Sequence, residues 1–325
     1  MKELTIWAND KFNEAATRRL REGVGRHRLV AATATEVVMA GATAQPDPAL
    51  ATADVAFGQP ALADCLKFTQ LRWMHLSTAG YTRYDNPEVR EQLRGRGAAL
   101  TTSSSVYADP CAHHALAMML AISRQLLPSY RDQLTDHDWP YPARRYETRR
   151  LTGSTILLLG FGAIGRRLAE LLAPFGCTVY AVRRQTRSEL GVRVVPEADL
   201  TRVLALADHV VNILPENDAT RGWVNARRLA CCRPGTRFYN IGRGSTVDEK
   251  ALREALQSGR LGAAYLDVTD VEPLPVDNPL WTTPNCYITP HLAGGRSDQD
   301  EAVVDHFLAN LRAYERGEPL ADRVI

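Results

Sequence analysis

The sequence predicts an α/β protein built from doubly wound, Rossmann-like parallel sheets, and three observations predict it. Short apolar runs alternate with helix-like stretches along most of the 325 residues, as in parallel sheets with helices on their faces. The later runs are apolar almost throughout, the mark of strands covered on both sides. One of them, Ile156-Leu157-Leu158-Leu159, leads directly into Gly160-Phe161-Gly162-Ala163-Ile164-Gly165.

The elements follow in order. Leu4-Thr5-Ile6-Trp7, Val37-Val38-Met39-Ala40 and Asp54-Val55-Ala56-Phe57 read as strands ending near Gly, Asn or Pro. Trp73-Met74-His75-Leu76 then leads into Ser77-Thr78-Ala79-Gly80 and completes a first α/β unit of about 100 residues. Asp109-Pro110 is a helix start signal, and Ala115, Leu116, Met119, Leu120 and Ile122 are apolar at helical spacing, which predicts a helix from about Cys111 to Leu127. Pro128 to Arg150, with Trp139-Pro140-Tyr141-Pro142 and several arginines, reads as a connecting arm outside the core.

A second α/β unit begins at Ile156 and continues through Thr178–Val182, His209–Ile213, Thr236–Asn240, Ala263–Leu266 and Cys286–Thr289. Asp298 to Arg316 reads as a final helix, and no repeat of solenoid length or low-complexity segment is present.

Composition narrows the function. A net charge of +2 gives no electrostatic case for nucleic acid or an anionic membrane. No run approaches the ~20 apolar residues of a spanning helix. Met1 to Trp7 is too poor in apolar residues for a signal peptide. Six cysteines occur without a Cys-x-x-Cys pair, and Cys231-Cys232 are adjacent. That pattern predicts scattered thiols in a reducing cytoplasm and no metal site.

Gly160-x-Gly162-x-x-Gly165 follows a strand and opens a helix. Glycine turns tightly and lets backbone approach a pyrophosphate, while the helix start offers free N–H groups. Ala163 and Ile164 complete this cradle. A dinucleotide site that prefers NAD usually places an acidic residue at the end of the next strand. Here that strand ends in Arg183-Arg184, with Arg187 close by, and the nearest following acid is Glu189. Guanidinium groups suit an anionic 2′-phosphate, so NADP(H) is the expected cofactor, with NAD(H) the second choice.

Three further segments complete the pattern: Asn240-x-x-Arg243-Gly244-x-x-Val247-Asp248-Glu249, Asp267-Val268-x-x-x-Glu272-Pro273, and Pro290-His291-x-Ala293-Gly294. With them the chain resembles the D-isomer-specific 2-hydroxyacid dehydrogenase family over nearly its full length. The likeness is strongest from Leu151 to Gly295 and closest to the glyoxylate and hydroxypyruvate reductase branch.

The resemblance implies the fold, hydride transfer and a triad of Arg243, Glu272 and His291. The chemistry is sound on its own terms. A guanidinium stays charged, so Arg243 can grip a carboxylate and polarise the adjoining carbonyl. Histidine titrates near neutrality, so His291 can give a proton to a forming alkoxide and recover it in reverse. Glu272 is expected to hydrogen-bond His291, orient its ring and raise its pKa.

By resemblance, Asp267 holds the nicotinamide carboxamide, and Ile241, Gly242, His291 and Gly294 line the ring. Pro215 and Thr220 belong to a loop over the cofactor. Ser77, Ala79, Gly80 and Tyr81 resemble a substrate loop whose amides, with Arg243, take the substrate carboxylate, a physically reasonable anion nest. Tyr81 either caps the site or packs.

His113 stands where many members carry glutamate. Arg296, in the altered run Gly295-Arg296-Ser297, is placed to read a second acidic or hydroxyl group of the substrate.

The expected architecture is two domains with a cleft between them. Residues 1–104 and 294–325 form the substrate domain and 105–293 the cofactor domain. The expected activity is NADPH-dependent reduction of a small 2-oxo acid such as glyoxylate or hydroxypyruvate, in a cytoplasmic homodimer with no nucleic-acid or membrane partner. Trp139 either reaches a partner's active site or packs in an interface. A phosphoglycerate dehydrogenase ranks lower, since the chain leaves no room for an appended regulatory domain. Glu272, where a formate dehydrogenase would have glutamine, disfavours that chemistry. The alternative outside enzymology is a cofactor-sensing protein on the same scaffold, which an intact triad argues against.

Overall fold

The computed structural model describes residues 2–33, 45–135, 137–183, 189 and 191–325. The strand expected at Val37–Ala40 and the residues Arg184 and Arg187 lie outside the described residues. The chain divides into two compact units, Met1–Tyr107 with Arg296–Ile325, and Ala108–Gly295.

The first unit holds a five-stranded parallel sheet: β1 (Thr5–Ala8), β2 (Arg28–Ala31), β3 (Val55–Phe57), β4 (Trp73–His75) and β5 (Ala99–Thr101), in the order β2-β1-β3-β4-β5. β3, β4 and β5 are buried throughout. The C-terminal helix Gln299–Arg316 packs on this sheet. Its Phe307 stacks on Phe57 with ring centroids 4.1 Å apart, and on Trp73 at 5.3 Å.

The second unit holds seven parallel strands: β6 (Thr155–Leu159), β7 (Thr178–Val182), β8 (Arg193–Val195), β9 (His209–Asn212), β10 (Thr236–Asn240), β11 (Leu261–Leu266) and β12 (Cys286–Ile288). Their order is β12-β11-β10-β9-β6-β7-β8. The chain winds outward from β6 through β7 to β8, then returns to β9 and winds the other way. The winding reverses between β6 and β9, and sheets of this kind take their ligands at the strand C-termini beside such a reversal.

The helix expected from Cys111 to Leu127 runs instead from Ser104 to Ser123 and contains Pro110. Proline breaks a helix by lost bonding and steric clash, yet here the helix continues through it, and the apparent start signal is internal. Two residues past its end, Gln125 turns the chain with φ +59°. The arm is helical too, over Leu126–Thr135 and Tyr141–Glu147. Pro128 and Pro142 read locally as breaks, but each lies in the first turn of its helix, where proline is tolerated. β2, β5 and β8 are three- or four-residue strands, too short to stand out by composition.

Candidate active site

In the second unit the predicted residues gather at the C-terminal ends of neighbouring strands. Gly160 follows β6 with φ +99°, a conformation open to glycine, and an added Cβ would lie 3.1 Å from Ile213 O. Gly165, inside the helix Ala163–Leu172, packs against the turn; a Cβ there would lie 3.2 Å from Gly160 O. Gly162 differs. It caps the helix without a side-chain bond, and a Cβ on it would meet no protein atom within 4 Å. Protein packing therefore explains the first and third glycines, and an uncapped helix start beside Gly162 suits the phosphates of a dinucleotide.

At the end of β7, Arg183 lies 3.4 Å from Glu189, whose carboxylate also holds Arg166 at 2.7 Å. Pro215 and Thr220 belong to the loop after β9. Thr220 Oγ1 donates to Pro215 O at 2.6 Å and so closes that loop on itself.

The Arg243 segment follows β10 and is held from beneath by amides. Asn212 Nδ2 donates to Asn240 Oδ1 at 2.9 Å and to Thr246 Oγ1 at 2.7 Å. Thr246 Oγ1 and Asn240 Nδ2 both donate to Arg243 O. Gly244 has no room for a side chain, since a Cβ would fall 1.9 Å from Thr269 C. The Arg243 guanidinium donates to Gly242 O at 2.7 Å and pairs with no carboxylate among the described residues. Asp248 and Glu249 serve structure: Asp248 caps the helix Glu249–Gln257, and Glu249 accepts Asp270 N at 2.8 Å.

His291 follows β12 in the left-handed region, φ +51°. Its N–H donates to Asp267 O at 2.8 Å and Thr289 O at 3.0 Å. Its Nδ1 lies 2.7 Å from Glu272 Oε2, and Glu272 Oε1 accepts Thr269 N at 3.0 Å. Both side chains are partly exposed. Burial opposes ionisation of Glu272, but the bonds from His291 and Thr269 N–H, with the charges of His291 and Arg243, outweigh it and hold the carboxyl below its ordinary range.

Asp267, at the end of β11, is buried. Its Oδ1 accepts Thr289 Oγ1 at 2.6 Å and Leu292 N at 2.9 Å, and its Oδ2 accepts Ala293 N at 2.9 Å. It therefore clamps the turn that carries His291, a task its sequence position did not reveal. Ile241 and Gly242 are buried and Gly294 half-buried beside these residues.

A cavity of about 830 Å³ opens at the opposite, N-terminal edge of the strands, beside Gly153, Asp208 and Gly235. It contains none of the predicted site residues.

In the first unit, the Ser77–Tyr81 segment follows β4. Ser77 is buried, and its carbonyl accepts Tyr107 Oη at 2.9 Å. Gln59 Nε2 donates to Thr78 Oγ1 at 3.0 Å, which donates on to Gly80 O at 2.9 Å. The N–H groups of Ala79 and Gly80 have no acceptor among the described residues. Tyr81 O accepts Tyr84 N at 2.8 Å. Arg296, expected to read substrate, donates from Nε and Nη2 to Asp298, at 2.7 and 2.8 Å, because the acid two residues on is within local reach.

Among the described residues no group of His, Cys, Asp and Glu could hold a metal ion, and no helix is long and apolar enough to cross a membrane.

The chain is similar to known proteins in both sequence and fold. The family model described as "D-isomer specific 2-hydroxyacid dehydrogenase, NAD binding domain" matches residues 116–293. Over 244 residues the chain is 32% identical to a D-3-phosphoglycerate dehydrogenase of Mycobacterium bovis, a match covering 74% of this chain and 45% of that protein. It is also 32% identical over 244 residues to a glyoxylate reductase of Pyrococcus furiosus, covering 72% and 71%. Its fold resembles the D-isomer specific 2-hydroxyacid dehydrogenase from Xanthobacter autotrophicus Py2, solved with NADPH and MES. That likeness has a TM-score of 0.82 at 26% identity, over 100% of this chain and 98% of that one. The chain spans about half the length of the mycobacterial relatives it matches. It belongs to the D-isomer specific 2-hydroxyacid dehydrogenase family.

Proposed function

We propose that this protein is a 2-oxo acid reductase that draws hydride from NADPH in preference to NADH, and that it yields the D-2-hydroxy acid. The observation that carries this reading is the His291–Glu272 pair at 2.7 Å, set in one unit with Arg243, which forms no ion pair with a carboxylate among the described residues. A nicotinamide cofactor supplies the hydride when bound. The glycine turn after β6 and the uncapped start of the Ala163–Leu172 helix fit its pyrophosphate.

The chain's own residues supply the remaining chemistry. Arg243 holds the substrate carboxylate and draws electron density from the neighbouring carbonyl. The free N–H groups of Ala79 and Gly80 are further carboxylate donors. Glu272 fixes His291 through Nδ1, which leaves Nε2 to deliver a proton to the oxygen at C2. Ile241, Gly242 and Gly294 form the wall against the nicotinamide, and Pro215 and Thr220 the loop above it.

Glyoxylate and hydroxypyruvate are the proposed substrates. The equal likeness to a phosphoglycerate dehydrogenase puts a phosphorylated 2-oxo acid second. A homodimer in the cytoplasm is the proposed state; the exposed apolar residues of the arm support self-association.

The test is NADPH and NADH oxidation at 340 nm with glyoxylate, hydroxypyruvate, phosphohydroxypyruvate, pyruvate, phenylpyruvate and 2-oxoisocaproate. Turnover favouring NADPH is expected, and His291→Ala should lower kcat by ~10²-fold or more. Tight NADPH binding without oxidation by any acid would replace this reading with a sensing role. Near-normal turnover in His291→Ala would remove His291 from the mechanism.

A further inference from the structure

We propose that His114 and Tyr265 are positioning residues that set the geometry of the His291 turn through a directed chain of hydrogen bonds. The inference rests on the reductase reading for its kinetic part only. Tyr265 is a fully buried residue of β11, and burial pushes its phenol above the ordinary value, so the hydroxyl keeps its proton. Its Oη lies 2.5 Å from His114 Nε2 and within hydrogen-bond distance of Thr289 Oγ1. The His114 and Tyr265 rings stack with centroids 5.6 Å apart. Thr289 Oγ1 donates in turn to Asp267 Oδ1 at 2.6 Å.

Counting protons sets the direction. A carboxylate only accepts, so the single hydroxyl proton of Thr289 is spent on Asp267. Thr289 can therefore only accept from Tyr265, which spends the phenol proton. The phenol oxygen can then only accept from His114, whose Nε2 must carry a hydrogen. Each bond points toward Asp267, and aligned bonds of this kind polarise one another. A longer contact from Tyr265 Oη to Asp267 Oδ1, 3.4 Å, runs the same way.

The chain ends where the chemistry is. Asp267 accepts the N–H groups of Leu292 and Ala293 through its carboxylate and the N–H of His291 through its carbonyl. It thus holds a residue at φ +51°, a conformation that a non-glycine residue adopts at a cost of order 1–3 kcal/mol when its surroundings impose it. Without the donor from His114, Tyr265 can turn away from Thr289, and Thr289 from Asp267. The turn then loses its definition while the cofactor cradle after β6 is untouched.

The test compares His114→Leu, His114→Gln and Tyr265→Phe with the wild type. It measures steady-state kinetics and backbone amide exchange. Glutamine keeps an N–H donor for the phenol oxygen, whereas leucine does not, and phenylalanine removes both bonds. Expected is a kcat about 10-fold lower in His114→Leu and Tyr265→Phe, since displacements well under 1 Å cost activity on that scale. The KM for NADPH should stay within about two-fold, and His114→Gln should recover most of the lost kcat.

The amides of Leu292 and Ala293 should exchange faster in the two impaired variants, while those of β6 keep their protection and report an intact fold. Unchanged exchange at Leu292 and Ala293 in both variants would overturn the proposal, and so would a His114→Gln variant as impaired as His114→Leu. If the wild type reduced no 2-oxo acid, the reductase reading would fall, and the exchange arm alone would still decide the positioning role.

Discussion

At the scale of single residues, the proposed preference for NADPH rests on Arg183. Its guanidinium lies 3.4 Å from Glu189, but Arg166 holds the same carboxylate oxygen at 2.7 Å. Glu189 thus keeps a partner if Arg183 turns to a 2′-phosphate, so the exchange costs little. Charge-assisted bonds are worth about 1.5–3 kcal/mol, so Arg183→Ala should raise the KM for NADPH about 10-fold or more and leave that for NADH nearly unchanged. Equal losses for both cofactors, measured in parallel titrations, would refute a 2′-phosphate role. Glu272 shows why neighbours outweigh solvent here: burial alone would raise its pKa, yet His291, the Thr269 N–H and Arg243 lower it.

Among the described elements, the arm exposes a row of large apolar side chains. The helix Leu126–Thr135 exposes Leu126, Tyr130 and Leu134, spaced four apart and therefore on one face. Trp139, at 86% exposure, and Tyr146 extend the apolar surface beyond it. Contiguous exposed apolar patches mark association sites. Sedimentation velocity should show a dimer for the wild type and a monomer for the double variant Tyr130→Glu and Leu134→Glu. A wild type that sediments as a monomer at all concentrations would dispose of the dimer. The strand ends are the opposite case: β6, β9, β10, β11 and β12 each deliver a site segment, and each segment is tied down by side-chain or backbone bonds.

For the molecule as a whole, two buried histidines are expected to weaken the fold in acid. Burial, helped by the charge of Arg237, pushes His209 down to about 3, while its Nδ1 is 3.0 Å from the buried Tyr239 hydroxyl. The folded state therefore refuses a proton that the unfolded chain takes near the ordinary histidine value of 6.5. This contribution is complete above about pH 6.5 and is lost as pH falls toward 3, at a slope of ~1.4 kcal/mol per pH unit. Burial lowers His75 to about 3 in the same way. In that unit, however, burial raises Asp10 to about 6, which favours the folded state on acidification and offsets part of the loss. Melting curves from pH 7 to 4 should show a steep fall in Tm for the wild type and a shallower one for His209→Gln. Identical slopes would mean that other groups drive acid unfolding.

Much of this was legible in the sequence, because strand-then-glycine and strand-then-histidine junctions are local. The alternation of apolar runs predicts parallel α/β sheets, and the segments at Gly160, Arg243, Glu272 and His291 carry the likeness to the family by residue type and order. Three things needed the folded chain. A strand such as β8, which begins on the exposed Arg193, shows itself only in its pairing with β7. Pro110 reads locally as a start, but it lies inside a longer helix. The supporting partners are remote in sequence: Asn212 beneath Arg243, Thr289 and Ala293 around Asp267, and His114 behind Tyr265. Residue types and their spacing determined which groups could react. Only tertiary structure decided which distant donors hold them in place, because a hydrogen bond between residues a hundred and fifty positions apart leaves no local pattern to read.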